Sequence, residues 1–350
     1  MSNWLKLVLL VFFSCHCFQT HILGNPLNAE NLQKDTLVLR ELTPLIKTEP
    51  FTMNVLLQAG FNYSLRDDDF LGGRTFEATN ARISIRGSWE SGFYYRLFFN
   101  LVREPNILDA FIGYKFADEL QVAFGVMKPQ QTLDFIPDPG SMDFIRRTQI
   151  TRLLVQSREI GVSAIGDLGN FSYFVGLYNG NGLERRNNNN KFYGIGRAQY
   201  RILKKGDDKL EIAISGSNGN SAGVQSGNSG PMLRGQRSIA GADLRLEWSN
   251  WIFATEYLIG RLETVDLPDR KEQISGYYLT LGYYFLERTS FLTRWQSWDF
   301  KEMGDTDSQL TLGVNHDFND ITGFQINYDL YMPEFGRNQS GFSVILQIQF

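Results

Sequence analysis

The feature that most constrains this fold is the last ten residues, Gly341–Phe350. Here Phe342, Val344, Leu346, Ile348 and Phe350 are apolar, while the residues between them are mostly small or polar. Side chains alternate faces along a strand, so this segment has one oily face and one wetter face. An amphipathic strand whose oily face ends on an aromatic suits the closing strand of a bacterial outer-membrane β-barrel. A soluble sandwich could also end this way, so the rest of the chain must discriminate.

The other end points to export. Met1–Lys6 is a short segment with one positive charge, followed by the apolar run Leu7–Phe13. That run is too short for a transmembrane helix and suits a signal-peptide core. Removal is expected between Ser14 and Asn25, giving a signal segment 1–24. Cys15 after Phe12-Phe13-Ser14 is a poor lipobox. Both cysteines, Cys15 and Cys17, and two of the three histidines, His16 and His21, fall in the excluded stretch. The mature chain would then have no disulfide framework and no thiolate metal site. Residues 25–50 lack a sustained period, contain prolines and read as an N-terminal arm.

From Phe51 to Phe350 the strand pattern is continuous, giving one barrel domain, 51–350. Short turns are expected at Glu90–Gly92, Ala117–Glu119, Asp167–Asn170, Lys204–Asp208, Ser249–Asn250, Leu286–Arg288 and Asp317–Asp320. Longer polar connections lie near Ser64–Gly73, Arg103–Asn106, Lys128–Ser157, Asn179–Lys191, Ser217–Arg237, Glu263–Gln273, Asp299–Asp307 and Tyr331–Gln339. Alternating short turns and long loops are the two rims of a bacterial barrel. The count is about 16 antiparallel strands of roughly nine to twelve residues, long enough for a tilted crossing and enclosing a water-filled lumen. No segment approaches the length of an apolar transmembrane helix. An aromatic share of 14% suits girdles at both membrane interfaces. A net charge of −4 argues against nucleic acid as a partner.

Strand parity separates the two faces. In Ala81–Trp89, Ile83, Ile85 and Trp89 share one face, and Arg82, Ser84, Arg86 and Ser88 the other. In Trp251–Ile259 the oily set is Trp251, Phe253, Tyr257 and Ile259, with Glu256 opposite; in Tyr277–Phe285 it is Tyr277, Leu279, Leu281, Tyr283 and Phe285. By the same parity the lumen receives Arg82, Arg86, Arg96, Lys115, Arg197, Arg201, Arg245 and Arg294. It also receives Asp109, Glu159, Glu211, Asp243, Glu247 and Glu256, so the basic excess is slight. The connection Lys128–Ser157 exceeds an idle surface loop. It carries the apolar anchors Leu133, Phe135, Ile136, Phe144 and Ile145, prolines, and Arg146, Arg147 and Arg152. Anchored inward, it would bring guanidinium groups to a constriction, where they attract anions. As an external loop, it would offer the same arginines to lipopolysaccharide phosphates or to water.

Two stretches carry a family resemblance. One is Ala81-Arg-Ile-Ser-Ile-Arg-Gly-Ser-Trp followed by Tyr94-Tyr-Arg-Leu. The other is Leu108-Asp-Ala-Phe-Ile-Gly-Tyr-Lys, then Val122-Ala-Phe-Gly-Val-Met-Lys-Pro-Gln, then Arg158-Glu-Ile-Gly-Val. The pattern of a basic strand, Gly-x-x-Lys-Pro before a long loop and Glu-x-Gly after it resembles the phosphate-selective porin O and P family. The resemblance spans about Phe51–Phe350. It implies a sixteen-stranded homotrimeric passive channel in the outer membrane of a Gram-negative bacterium, in contact with outer-membrane lipids and lipopolysaccharide. It further implies a preference for small anions such as phosphate or polyphosphate. The pore residues expected to hold anions are Arg82, Arg86, Arg96, Lys115, Arg146, Arg147 and Arg152.

Other readings are a general non-selective porin, whose mixed wall sets up a transverse field, and a structural or uptake-system barrel. A membrane-embedded enzyme would need an activated nucleophile. The remaining histidine, His316, lies by parity with Leu310, Leu312 and Val314 on the lipid side or at a rim, and the nearby Ser308 has no clear acid partner. No catalytic, cofactor or metal site is expected. Asp67-Asp68-Asp69 lacks the ligand spacing of an EF-hand, and the Gly-Asn-Gly and Gly-Gly pairs are turns without a following helix.

Overall fold

The computed structural model describes residues 51–350 apart from 68, 71–72, 157 and 184–186. The expected signal segment and arm, with Cys15, Cys17, His16 and His21, lie outside the described residues.

Sixteen strands form one closed antiparallel barrel in chain order. They are β1 (Thr52–Ser64), β2 (Arg74–Ser88), β3 (Phe93–Asn100), β4 (Ile107–Ala117), β5 (Leu120–Met127), β6 (Glu159–Leu168), β7 (Phe171–Tyr178) and β8 (Tyr193–Lys205). The second half continues with β9 (Asp208–Gln225), β10 (Met232–Trp248), β11 (Trp251–Thr264), β12 (Glu272–Leu286), β13 (Thr289–Phe300), β14 (Asp305–Asp317), β15 (Thr322–Met332) and β16 (Gln339–Gln349). The first and last strands seal the sheet: Leu57 pairs with Ile348 and Phe61 with Val344. Val55 N–H donates to the Phe350 carbonyl (2.8 Å), and Phe350 N–H to the Val55 carbonyl (3.1 Å). Closure leaves no sheet edge for lipid to meet.

The register preserves the face assignment around the ring. Leu56 opposes Arg82, Ser84 opposes Phe98, and Asp243 opposes Glu256, all on the lumen side. Outward-facing aromatics gather at the short-turn rim, where Trp89 meets Tyr95 (ring centroids 5.3 Å apart) and Trp251 meets Tyr283 (4.7 Å). His316 belongs to this girdle. It contacts Phe318 and Phe324, and its Nδ1 lies 2.8 Å from Thr289 Oγ1. Ser308 sits near the other end of β14 and donates to Ser297 Oγ (3.1 Å). Eight residues of strand, roughly 27 Å, separate Ser308 from His316, so they cannot form a nucleophile and base pair.

Two expectations need correction. Residues 217–237 are not one long loop: β9 runs to Gln225 and β10 starts at Met232. The Ser/Gly/Asn composition suggests turns, but the backbone ladder continues, with Ser217 opposite Ile239 and Ser221 opposite Gly235. The neighbouring strand supplies partners that local propensity cannot reveal. Strand lengths also range more widely than nine to twelve, from 8 residues in β3, β5 and β7 to 18 in β9. The wall is therefore low over β3–β7 and high over β8–β12.

The lumen is largely filled. Beside β5–β8, Ala123, Met127, Phe174, Tyr178, Tyr193 and Ile195 form one buried cluster. A larger one joins the lumen side of β10–β13 to the loop between β5 and β6: Phe135, Ile150, Leu153, Leu154 and Val155 pack on Leu233, Ile239, Leu258, Leu262, Ile274 and Trp298. This inner core explains why β11 is apolar on both faces.

Candidate channel constriction

The turn into the loop after Met127 is prepared within β5, at Gly125-Val-Met-Lys-Pro. Gly125 has φ 140°, and a Cβ there would run into the Ala110 carbonyl oxygen, so the strand can bend here only with glycine. Lys128 then donates to the carbonyls of Ile136 (2.8 Å) and Pro137 (3.0 Å) and pairs with Asp138 (3.2 Å), drawing the first half of the loop back on itself. Burial pulls the Lys128 ammonium down to about 7, against Asp138 and with help from Arg147 and Arg158. Lys128 Nζ and the Arg147 guanidinium lie 4.9 and 5.0 Å from the centre of the Phe135 ring.

Backbone inside a lumen must find partners, and the wall provides them. Glu256 on β11 accepts from the N–H groups of Leu133 (2.9 Å) and Asp134 (3.3 Å). Gln325 and Asn315 donate to the Met142 and Asp143 carbonyls (2.8 and 2.9 Å), and Asn327 Oδ1 accepts from Ile145 N–H (2.8 Å). Gln58 and Gln347 reach the carbonyls of Pro139 and Gly140 at 3.4 Å. The loop is thus tied to both sides of the barrel, and Asp143 pairs with Arg245 on β10 (2.8 Å). A short helix, α1 (Gln149–Leu154), ends the inward excursion. Thr148 caps it by accepting from Thr151 N–H (3.4 Å), and Gln149 N–H donates to Gln296 on β13 (2.7 Å).

Two cavities flank this barrier along the same stretch of wall. The one on the long-loop side, about 700 Å³, is lined by Asn62, Glu77, Arg103, Arg146, Arg147, Arg152, Trp298, Phe300, Asp307, Asp329, Tyr331 and Ser343, among others. The one on the short-turn side, about 610 Å³, is lined by Asn54, Gly140, Tyr284, Arg288, Asp317, Gln347 and Gln349, among others. Between them lie Gln58, the buried Ile345 and the loop backbone at 139–143.

The sequence-derived pore residues separate into three groups. Arg146 and Arg152 face the outer cavity. Arg146 donates to Asn62 Oδ1 (2.9 Å) and lies 3.8 Å from Asp329, with its side chain 47% exposed. Arg152 donates to Gln149 Oε1 (3.2 Å), and no carboxylate among the described residues pairs with it. Burial and the neighbouring Arg146 charge pull its guanidinium below the usual range. Arg147 lines the same cavity but is committed to the loop, donating to the carbonyls of Asp134 and Pro137. The remaining four sit lower in the barrel. Arg82 lies 5.7 Å from the Phe98 ring centre, and Arg96 pairs with Asp109 and Asp138 (both 3.3 Å). Arg86 shares a separate cavity with Arg96, and Lys115 pairs with Asp118 (2.6 Å) at the β4–β5 turn. The geometry does not bring Lys115 or Arg86 to the arginines of the inner loop.

Most other wall charges neutralise one another. Arg197 pairs with Asp243, Arg201 with Glu211 (2.9 Å), and Arg245 with Glu247 (2.7 Å). The fully buried Arg237 reaches Glu159 across four strand intervals (2.9 Å) and lies over the Tyr193 ring (3.6 Å), closing that sector of the lumen. This gives the Glu-x-Gly motif a physical role: Glu159 holds the chord, and a side chain at Gly161 would strike the Leu177 carbonyl. Parity places Glu159, Glu256, Gln296 and Asn327 in the lumen, but nothing in the sequence reveals which would anchor the loop. Of the acidic triplet, Asp67 pairs with Arg74, and Asp69 with Arg337 while accepting from Ser340 N–H (3.1 Å); residue 68 lies outside the described residues.

The profile of the phosphate-selective porin O and P family matches residues 51–294. No curated protein matches the sequence. Among solved structures, the anion-selective porin from Comamonas acidovorans aligns with TM-score 0.66 at 12% identity, covering 86% of this chain and 99% of that one. The trimer form of in-vitro folded OmpT from Vibrio cholerae gives 0.63 at 11% identity, covering 86% and 99%. The outer membrane channel DcaP of Acinetobacter baumannii gives 0.61 at 9% identity, covering 86% and 97%. At these identities the likeness extends to the fold alone.

Proposed function

Because the chain belongs to the phosphate-selective porin O and P family, and is an outer-membrane porin channel, we propose that it passes small hydrophilic solutes with a preference for anions, phosphate among them. Arg146 and Arg152 carry the proposal. Both face the cavity immediately outside the constriction, whose lining sets four arginines (Arg103, Arg146, Arg147, Arg152) against three carboxylates (Glu77, Asp307, Asp329). Glu77 pairs with Arg103 (2.5 Å), Asp307 accepts from the Tyr331 hydroxyl (2.7 Å), and Asp329 accepts from Gln309 and Thr311 (both 2.7 Å) while lying 3.8 Å from Arg146. A basic excess of one therefore remains in this lining, with Arg152 unpaired by any carboxylate among the described residues. At the mouth of a narrow passage, local charge outweighs a net charge of −4, because screening acts over roughly 8 Å at physiological salt. The proposed assembly is a homotrimer, as in the trimeric OmpT form, with its outer face in contact with lipid and lipopolysaccharide.

Reversal potentials in a planar bilayer under a salt gradient test the preference. Wild type should select anions, and Arg146→Ala/Arg152→Ala should shift the potential toward cations and weaken phosphate block. A double variant that keeps the parent's preference refutes the role of the loop. Paired charges along the wall, such as Arg96 with Asp109 and Arg201 with Glu211, favour a second reading, a general porin. A wild-type reversal potential near zero would select that one.

A further inference from the structure

The outer cavity contains more than charge. Trp298 and Phe300 on β13 and Tyr331 on β15 point into the lumen at its edge, and the Trp298 and Tyr331 rings stack with centroids 6.0 Å apart and planes 9° from parallel. Leu153 of α1 packs beside Trp298 and also lines the cavity. An apolar shelf therefore shares one space with Arg146 and Arg152. A strongly hydrated inorganic anion gains nothing from aromatic surface, and about 700 Å³ far exceeds its size. Cavities of this volume hold whole organic molecules, usually by apolar walls with a few placed polar groups. The two kinds of wall have different tasks. The guanidinium pair suits a carboxylate or similar planar anionic head, while the shelf offers stacking to a flat ring.

We infer that the outer cavity is a binding site for organic anions with a flat apolar body, aryl carboxylates in particular, whose charged group meets Arg146 and Arg152 while the ring lies on the Phe300–Tyr331 shelf. This rests on the anion-channel reading for its purpose but not for its geometry: the site can be occupied whether or not the ligand crosses. It also gives the cavity a selectivity that phosphate alone does not require.

Four probes separate the contributions: benzoate has charge and ring, acetate charge only, benzyl alcohol ring only, and inorganic phosphate a different charge without a ring. Calorimetric titration of the folded protein in detergent needs no conduction. Benzoate should bind roughly tenfold more tightly than acetate, as expected for added ring stacking, and benzyl alcohol should bind more weakly than benzoate. In a bilayer, benzoate added on the long-loop side should block current at lower concentration than from the short-turn side. Phe300→Leu keeps apolar bulk but removes a shelf ring, and it leaves the Tyr331 hydroxyl on Asp307. It should bring benzoate most of the way down to the level of acetate and leave phosphate block unchanged. Arg146→Ala/Arg152→Ala should abolish binding of both carboxylates. Equal binding of benzoate and acetate by the wild-type protein overturns the inference, even if a variant does not fold. Benzoate binding by a protein that fails to conduct would refute the channel proposal and leave this site standing.

Discussion

Arg146 and Arg147 adjoin in sequence, yet one guanidinium faces the outer cavity while the other is spent on the loop's own carbonyls. Their truncations should differ accordingly. Arg146→Ala should move ion preference while leaving conductance steady. Arg147→Ala leaves the Asp134 carbonyl short of a charged donor and the Pro137 carbonyl with Lys128 alone, a loss of about 1–3 kcal/mol in seating the loop, and should appear as noisy, enlarged single-channel conductance. Identical traces for the two variants would contradict the distinction. Lys128 supplies a pH dependence. With its ammonium brought down to about 7, it is charged below neutrality and neutral above, so one positive charge leaves the constriction as pH rises. Between pH 6 and 9 the reversal potential should drift toward cations, and Lys128→Met should flatten the drift. A drift of equal size in the variant would assign it to another group.

At the scale of elements, the inner loop is held by a few deep contacts and many shallow ones. Phe144 is 2% exposed, packs on Ile252 and Leu292, and carries the Arg294 guanidinium over its ring (4.4 Å). Losing such a side chain costs about 3–5 kcal/mol, while each neutral amide bond to the loop contributes about 1 kcal/mol. Phe144→Ala should therefore free the 139–146 strip from the wall and raise conductance, whereas Gln325→Ala alone should change it little. The barrel ladder does not depend on the loop, so strand content by circular dichroism should be unchanged in both. If Phe144→Ala conducts as wild type does, the strip does not limit flow.

For the whole molecule, the uneven wall has a consequence. An 8-residue strand tilted like those of other barrels spans about 20 Å, short of the roughly 25 Å apolar band such barrels present. Over β3–β7 the exposed face includes Ile112, Phe124 and Val162, with Phe124 opposite Val162. We expect this low sector to be the contact between copies in the proposed homotrimer, where a neighbouring wall covers it in place of lipid. If the proposed homotrimer forms through this sector, native mass measurement in mild detergent should give three chains for the wild type and one for Phe124→Arg/Val162→Arg. Neither side chain faces the lumen, so the inner packing is untouched, and each arginine costs up to roughly 2–4 kcal/mol where it meets lipid; strand content by circular dichroism checks that the double variant folds. A trimeric double variant would place the contact elsewhere.

Much of this fold was legible because a membrane barrel obeys a period of two. Alternation in Ala81–Trp89 and Gly341–Phe350 distinguished lipid from lumen, and the positions of seven short turns determined strand order without any tertiary knowledge. The inward course of the connection Lys128–Ser157 could be anticipated from anchors such as Phe135 and Phe144, since apolar residues on a polar connection need somewhere to be buried. The continuation of β9 through Ser217–Gln225 could not, because its partners lie in β10 rather than nearby in the chain. Nor could the difference between Arg146 and Arg147, which depends on where Asp134 and Pro137 arrive after the loop folds. The shared cavity of Arg152, Trp298 and Tyr331 joins segments far apart in sequence. Parity is a local property of the backbone and survives in the sequence; partnership across the lumen is set by three-dimensional closure, and only the tertiary structure decides it.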